Sequence, residues 1–442
     1  MALHFTQETP IYASGSLDAP GTLAPERLFR LGRGLFLGVL FAAPLAFGAV
    51  QPWAWGGLGV LSAFLLAVWA AGSLLGKTIR VYWSPIYLPA TAFLVLAAIQ
   101  YFGGLTLDQA ATKEAIGKLI TNLIFFFLAG QFFAEASEAQ WRKMGLALTL
   151  YAFAVGLFAT LQFLSSHNLI YWIVPSPGYT FGPYVNHNHY AGLMEMLLPI
   201  SAAFVLPRLG RHPFRVFLGF ALVIPLASLL LSGSRGGLAA LFVEVVIIGA
   251  VFSRRAPLGF RRQWATGGAL GLVAVFVLFF WMDPGQVSKR LEAMTGLMHA
   301  PEVTLGDRLL VSRDSLRIVR DHAFVGVGVG AFETIYPQYQ SFPSDVVWDH
   351  AHNDYVEALA ETGLIGGLLV VTALALFFRL AFRNLDSQFK SEASWIRLGA
   401  TIGCCGLLLH SFVDFNLHIP ANAAWFAVCV AMATVSSPSS GK

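Results

Sequence analysis

Charge is scarce in this chain. Only 12% of its 442 residues are Asp, Glu, Lys or Arg, against about 25% in ordinary soluble domains. A surface of this extent cannot be kept in water with half that share, so a soluble enzyme is excluded. Cysteine is almost missing as well. Cys404, Cys405 and Cys429 all fall inside apolar segments, without Cys-x-x-Cys or Cys/His spacing, which excludes zinc fingers and disulfide scaffolds. The first 30 residues are polar, contain Pro10 and Pro20 and have no apolar h-region, so they read as a cytosolic tail rather than a cleavable signal peptide. There is no P-loop, no nucleotide-sugar DxD signature and no dinucleotide-binding glycine fingerprint.

What the chain has in excess is apolar length. Hydrophobic residues make up 56% of it, with 37 Phe and 11 Trp, and the mean hydropathy is +0.66. Twelve candidate spans can be marked, at 34–50, 56–75, 85–101, 119–134, 144–164, 189–206, 214–232, 237–252, 264–281, 363–378, 396–413 and 419–436. In hydrocarbon the backbone must satisfy its own hydrogen bonds, and stretches of this length do so as helices. The predicted fold class is therefore all-α, a polytopic membrane helical bundle of about 12 transmembrane helices with one large loop containing amphipathic helices.

Basic residues set the predicted orientation. With the N-terminus inside, most of the 28 Lys and Arg fall in short cytosolic segments, such as Arg27, Arg30 and Arg33, Lys77 and Arg80, and Arg254, Arg255, Arg261 and Arg262. Both termini are then cytosolic. The organisation that follows is a cytosolic tail at 1–33, spans one to nine at 34–281, a periplasmic loop at 282–362, three further spans at 363–436 and a cytosolic C-terminus at 437–442. A long loop inside a compact protein is usually functional, and this one carries six of the outward basic residues: Lys289, Arg290, Arg308, Arg313, Arg317 and Arg320.

Residues 308–320, RLLVSRDSLRIVR, read as an amphipathic helix with Asp307 as N-cap. Arg313, Arg317 and Arg320 share a basic face, either solvated or drawn to lipid headgroups. Arg308 projects from the other side, with Val311, Leu316 and Val319. It either snorkels to water or is held inward to meet an anion. SGSRGG at 232–237 sets Arg235 among glycines in a short outward turn, which is either a tight interhelical connection or a backbone able to approach an anion.

HAHNDY at 350–355 gathers His350, His352, Asn353, Asp354 and Tyr355 before the span that begins at 363. Histidine is the side chain best suited to take a proton near neutral pH. The His-x-His pair also suggests a metal, but no HExxH or three-ligand pattern accompanies it. NHNHYAG at 186–192 adds His187 and His189, while Glu195, Glu244 and Asp414, with His410 and His418, either line a polar cavity or cross-link helices. Chemistry on an outward face without ATP must draw on an activated substrate delivered in the membrane, and polyprenyl-diphosphate-linked sugars meet that need.

The order NHNHYAG, SGSRGG, GDRLLVSRDSLRIVRDHAFVGVGVGAF and HAHNDYVEALAETGLIG resembles the bacterial O-antigen ligase and O-antigen polymerase superfamily of polytopic lipid-linked-glycan transferases. The likeness covers about residues 180–380, and AFGAVQPWAW at 46–55 and HSFVDFNLHIPANA at 410–423 add to it. It implies an inverting glycosyltransferase of the bacterial inner membrane, working on the periplasmic face without nucleotide, metal or other cofactor. The donor would be a glycan on undecaprenyl diphosphate. The acceptor would be lipid A-core in a ligase, or another lipid-linked glycan in a polymerase; nucleic acid is not a partner. By the same resemblance His352 is the catalytic base and Arg235 and Arg308 bind the diphosphate, with His350 matched second; Asn353, His187 and His189 are further candidates for the substrate site. Two other classes stay open on the residues alone, a lipid-linked-glycan transporter and a non-catalytic membrane scaffold.

Overall fold

The computed structural model describes residues 23–77, 79–166, 168–176, 178–208, 215–255, 304–344, 347–385 and 391–435. They form helices α1 (Leu23–Leu45), α2 (Pro52–Leu75), α3 (Tyr87–Phe102), α4 (Gln109–Ala134), α5 (Glu138–Ser165), α6 (His187–Val205), α7 (Arg215–Ser232), α8 (Arg235–Arg255), α9 (Leu305–Asp321), α10 (Phe332–Ile335), α11 (Asp354–Asn384), α12 (Glu392–His410) and α13 (Pro420–Thr434). The extended structure among these residues amounts to a two-residue antiparallel pair, Leu169–Ile170 against Val174–Pro175, and an isolated bridge between Phe181 and Tyr184. The chain is thus an all-α polytopic bundle.

Seven of the described helices are long and apolar enough to cross a membrane, and three shorter apolar helices (Tyr87–Phe102, Val216–Ser232 and Pro420–Thr434) add to them. The expected span at 264–281 and the start of the expected loop, 282–303, lie outside the described residues. Local sequence starts the helices where it should. Ser137 and Gln140 close a capping box on α5, the Asp108 carboxylate accepts from Ala111 N at 2.9 Å to cap α4, and prolines open α2 and α13.

The centre of the bundle is α6, 83% buried over its apolar window despite its histidines and Glu195. It packs against α5, α7, α8 and α12. Toward the periphery α2, α3 and α11 leave Val60, Leu88, Leu368 and Val371 exposed, as lipid-facing surfaces do.

A second, smaller core sits beyond the spans. Val311 and Ile318 of α9, Val327, Phe332, Trp348 and Ala351 of the following segment, and Ala360 of α11 bury one another. Gln100, at the end of α3, ties this cap to the bundle: its amide donates to the Val325 and Glu361 carbonyls at 2.6 and 2.8 Å, and its oxygen accepts from Val329 N at 3.1 Å.

Candidate functional site

The starts of α6, α9 and α11 and the end of α12 meet at one carboxylate. Asp414, fully buried in the turn after α12, has Oδ2 3.3 Å from Arg308 Nη1 and 4.0 Å from His410 Nε2. Its Oδ1 lies 3.7 Å from His189 Nε2 and 3.7 Å from His352 Nδ1, and accepts from Phe415 N at 2.8 Å. The imidazole approaches are ion-pair distances, too long for hydrogen bonds. Burial raises the Asp414 pKa, but the Arg308 guanidinium and the two imidazoles outweigh it and hold the carboxyl well below the usual range. An ionised acid is thus placed behind an arginine and an imidazole.

Local structure explains how each group arrives. Helix α9 opens at Leu305 rather than Arg308: Thr304 is the N-cap and Asp307 closes the capping box from the third helical position, correcting the expected Asp307 N-cap. That register turns Arg308 inward, its side chain only 14% exposed, where it also donates to the Val413 carbonyl. Leu316, expected on the inner face, is 52% exposed, because Val311, Ser315 and Ile318 form the contact instead. His352 has φ +49°, in the left-handed region, a conformation costing on the order of 1–3 kcal/mol that persists only where its surroundings over-determine it. Here Asn353 caps α11, its oxygen accepting from Tyr355 N and Val356 N at 3.1 Å each, and Asp354 N donates to the Ser411 carbonyl at 2.9 Å.

Three imidazoles surround the Phe415 ring. His350 stacks on it with centroids 4.2 Å apart, and His189 and His352 meet it edge-on at 4.8 and 4.9 Å. On the far side of His350 lies a second charged group. His350 Nδ1 is 2.6 Å from Glu357 Oε1, and His418 lies between Asp354 Oδ1 at 2.7 Å and Glu357 Oε1 at 3.3 Å. Burial depresses the affinity of both imidazoles for a proton, yet Glu357 beside each of them prevails. His350 is raised above the ordinary value and His418 is raised to about 10. The ligand atoms of His350, Glu357 and His418 lie within 4.8 Å of one another, a grouping that could hold a metal ion. As they stand, they satisfy one another as ion pairs.

Behind Asp414, His410 Nδ1 lies 2.7 Å from Glu195 Oε1, both side chains fully buried. The glycines of SGSRGG are explained by this pair. A Cβ on Gly236 would overlap the His410 ring, and one on Gly237 would lie 2.8 Å from Ala191 Cβ and 3.2 Å from Glu195 Oε1. These two glycines let α8 lie against the buried histidine and acid. Arg235 itself is exposed at the first position of α8, one residue from that contact, at a helix end that favours anions. His187 reaches the same turn, Nδ1 2.9 Å from the Ser232 carbonyl, its ring 4.4 Å from Tyr179.

Of the expected site residues, Arg308, His352 and His189 therefore converge directly on Asp414. Arg235 adjoins the group through its neighbour Gly236. His350 faces Glu357 and His418, Asn353 serves as a helix cap, and His187 holds the SGSRGG turn. Asp414, Phe415, Glu357 and the Glu195–His410 pair were not among the expected site residues. The available signal was the unusual cost of placing acids in or beside apolar spans, which marks such residues without saying which of them meet.

Comparison with known proteins agrees with the motifs. Residues 220–371 match the family model for O-antigen ligase, a stretch that contains Arg235, Arg308, His350, His352 and Asn353. No curated protein matches the chain. The match bears out the resemblance to the O-antigen ligase superfamily and supports a membrane glycosyltransferase of the ligase or polymerase type.

Proposed function

We propose that the protein moves a glycan from undecaprenyl diphosphate to an acceptor hydroxyl at the periplasmic face of the bacterial inner membrane, with inversion, and that it acts as a ligase toward lipid A-core. The single observation that carries this reading is the sharing of the ionised Asp414 carboxylate by Arg308 and His352.

In this scheme the acceptor oxygen attacks the anomeric carbon from the face opposite the diphosphate, and His352 takes the hydroxyl proton as the new bond forms. The bond between that carbon and the diphosphate oxygen breaks, and its electron pair leaves with the lipid carrier. Arg308 and Arg235 receive the developing charge as planar, fork-shaped donors, an electrostatic effect strengthened away from bulk water. Asp414, 3.7 Å from His352 Nδ1, keeps the imidazole oriented as the proton arrives. His189 and His350 border the sugar on either side of Phe415, while His187 and Asn353 hold the two loops that carry Arg235 and His352.

The test is reconstituted full-length protein given a lipid-diphosphate glycan and an acceptor, read by formation of a new glycosidic bond. His352→Ala is expected to lower turnover about 10²–10⁴-fold, and Arg308→Lys to impair it as well, since lysine supplies a point charge without the fork. Full transfer by either variant at normal protein levels removes that residue from the mechanism. Translocation of the donor without bond formation would favour a transporter. The lipopolysaccharide ladder of a deletion strain separates the acceptors: loss of all O-chains marks a ligase, and capping with single repeats marks a polymerase.

A further inference from the structure

Helix α9 is tied down at both ends, one tie in the turn after the buried helix α12 and the other where the apolar part of the membrane-spanning α11 begins. Near its start, Arg308 is bonded to Val413 and Asp414, in the turn that follows α12. Just past its end, the Ala323 carbonyl accepts from Leu364 N at 2.8 Å and the Phe324 carbonyl from Ile365 N at 3.2 Å. Those residues begin the apolar part of α11, directly after the break at Gly363. A 17-residue helix is about 25 Å long, and held at two such points it runs along the membrane surface.

The face that α9 leaves unburied is unsuited to water. Leu305, Leu309 and Leu316 are 52%, 62% and 52% exposed, and Phe324, next to the second tie, is 75% exposed. These three leucines fall within about 40° of one another around the helix axis, and Arg320, Arg313 and Arg317 follow in order on one side of them. The acids near this stripe are already engaged. Asp314 is buried, 3.5 Å from Arg317 Nη1 and accepting from Ser341 N at 2.8 Å, and Asp321 is divided between Arg320 at 2.8 Å and the Tyr339 hydroxyl at 3.2 Å. An apolar stripe bordered by three arginines, lying in the plane of the surface, is the pattern of a helix seated among anionic lipid headgroups.

We propose that α9 is an interfacial helix whose Leu305–Leu309–Leu316 stripe enters the lipid on the side of the site, with Arg313, Arg317 and Arg320 holding the headgroups of anionic phospholipids. Its lipid contact thereby fixes the helix that presents Arg308.

The experiment uses the full chain in nanodiscs with an environment-sensitive fluorophore on Leu309→Cys. The same label on Glu333→Cys, an exposed position of α10, serves as reference, and the unsubstituted chain reports background from its native cysteines. Discs of phosphatidylcholine alone are compared with discs containing phosphatidylglycerol, each doped with lipid brominated near the glycerol end of the acyl chains. The label at 309 is expected to be quenched and the label at 333 to be spared. Quenching at 309 should rise about twofold with phosphatidylglycerol, and the rise should vanish at high salt or in the R313Q/R317Q/R320Q variant. Equal, weak quenching at both positions overturns the seating in lipid, whether water or a second protein covers the face. Strong quenching at 309 that ignores phosphatidylglycerol overturns the assignment to anionic headgroups. Neither readout depends on glycan transfer, so the result stands apart from the proposed activity.

Discussion

At the scale of single residues, Asp414 and His352 should behave differently when removed. Asp414 is a buried anion with Arg308 as its closest cation and three imidazoles around it. Taking away one partner of a buried pair strands the other, at a cost of about 3–5 kcal/mol when both are fully desolvated. Arg308 is 14% exposed, so the lower end of that range is the better guide. Asp414→Asn is therefore expected to lower the thermal midpoint of the purified protein by several degrees and to depress transfer as well. His352 leaves no stranded charge behind, and His352→Ala should keep the midpoint while losing turnover. A midpoint for Asp414→Asn equal to that of the unsubstituted chain would show that the carboxylate is not a structural hub. Glu357, His350 and His418 predict a pH response. His418 titrates at about 10 in the fold against an ordinary 6.5, so its protonated form is stabilised by folding. That contribution is fully present below about pH 6.5 and is lost as pH rises through about 10. Thermal midpoints measured from pH 6 to 10.5 should fall across this window, and His418→Gln should flatten the slope.

At the scale of elements, two glycines decide how helices meet. Gly363 interrupts α11 at φ +61°, ψ −163°, a conformation open essentially to glycine alone. The break separates the charged first turns, with Asp354, Glu357 and Glu361, from the apolar length that follows, so the segment before Gly363 serves the site and the segment after it the bilayer. Gly236 has an ordinary helical backbone, and its constraint is space, because the His410 ring lies against its Cα. Gly236→Ala should push α8 away from α12, costing about 1–3 kcal/mol by overpacking and moving Arg235 relative to Asp414. The expected outcome is a lowered thermal midpoint together with reduced transfer, whereas Gly219→Ala, where a Cβ meets nothing within 4 Å, should change neither. An unchanged Gly236→Ala protein would mean that the SGSRGG glycines serve the turn and not the packing. The linear pattern left a tight turn and an anion cradle both open and could not show the packing: Gly236 makes room for a histidine 174 residues further along the chain, and Gly237 for Ala191 and Glu195.

At the scale of the whole molecule, composition and apolar length were enough to specify an all-α membrane bundle, because the cost of unsatisfied backbone in lipid leaves few other solutions. The ordered motifs were enough to nominate Arg308, His352 and His189, which the fold brings to one carboxylate. Hydropathy could not show that α6, one polar-looking span among many, is the buried axis of the bundle, nor that Glu195, His410 and Asp414 stack behind His352. Those facts depend on which helix faces which, and a periodic apolar pattern does not encode its partner. Orientation rests on a different kind of argument. Lys77 and Arg80 fall between α2 and α3, Arg142 and Lys143 near the start of α5, and Arg254 and Arg255 at the end of α8, and a basic excess at short connections marks the cytosolic side. The expectation that follows is a periplasmic position for the span ends that carry Asp414 and for the cap over them. The prediction can be checked in intact cells with a membrane-impermeant maleimide, since native Cys404 and Cys429 are buried and Cys405 is half-buried. Glu333→Cys, exposed on α10, should react before the cells are opened, and Ala139→Cys, exposed at the start of α5, should react only afterwards. The reverse order would put the site in the cytosol, where the proposed acceptor, lipid A-core on the outer face, could not be met, and the assignment as a ligase would fail with it.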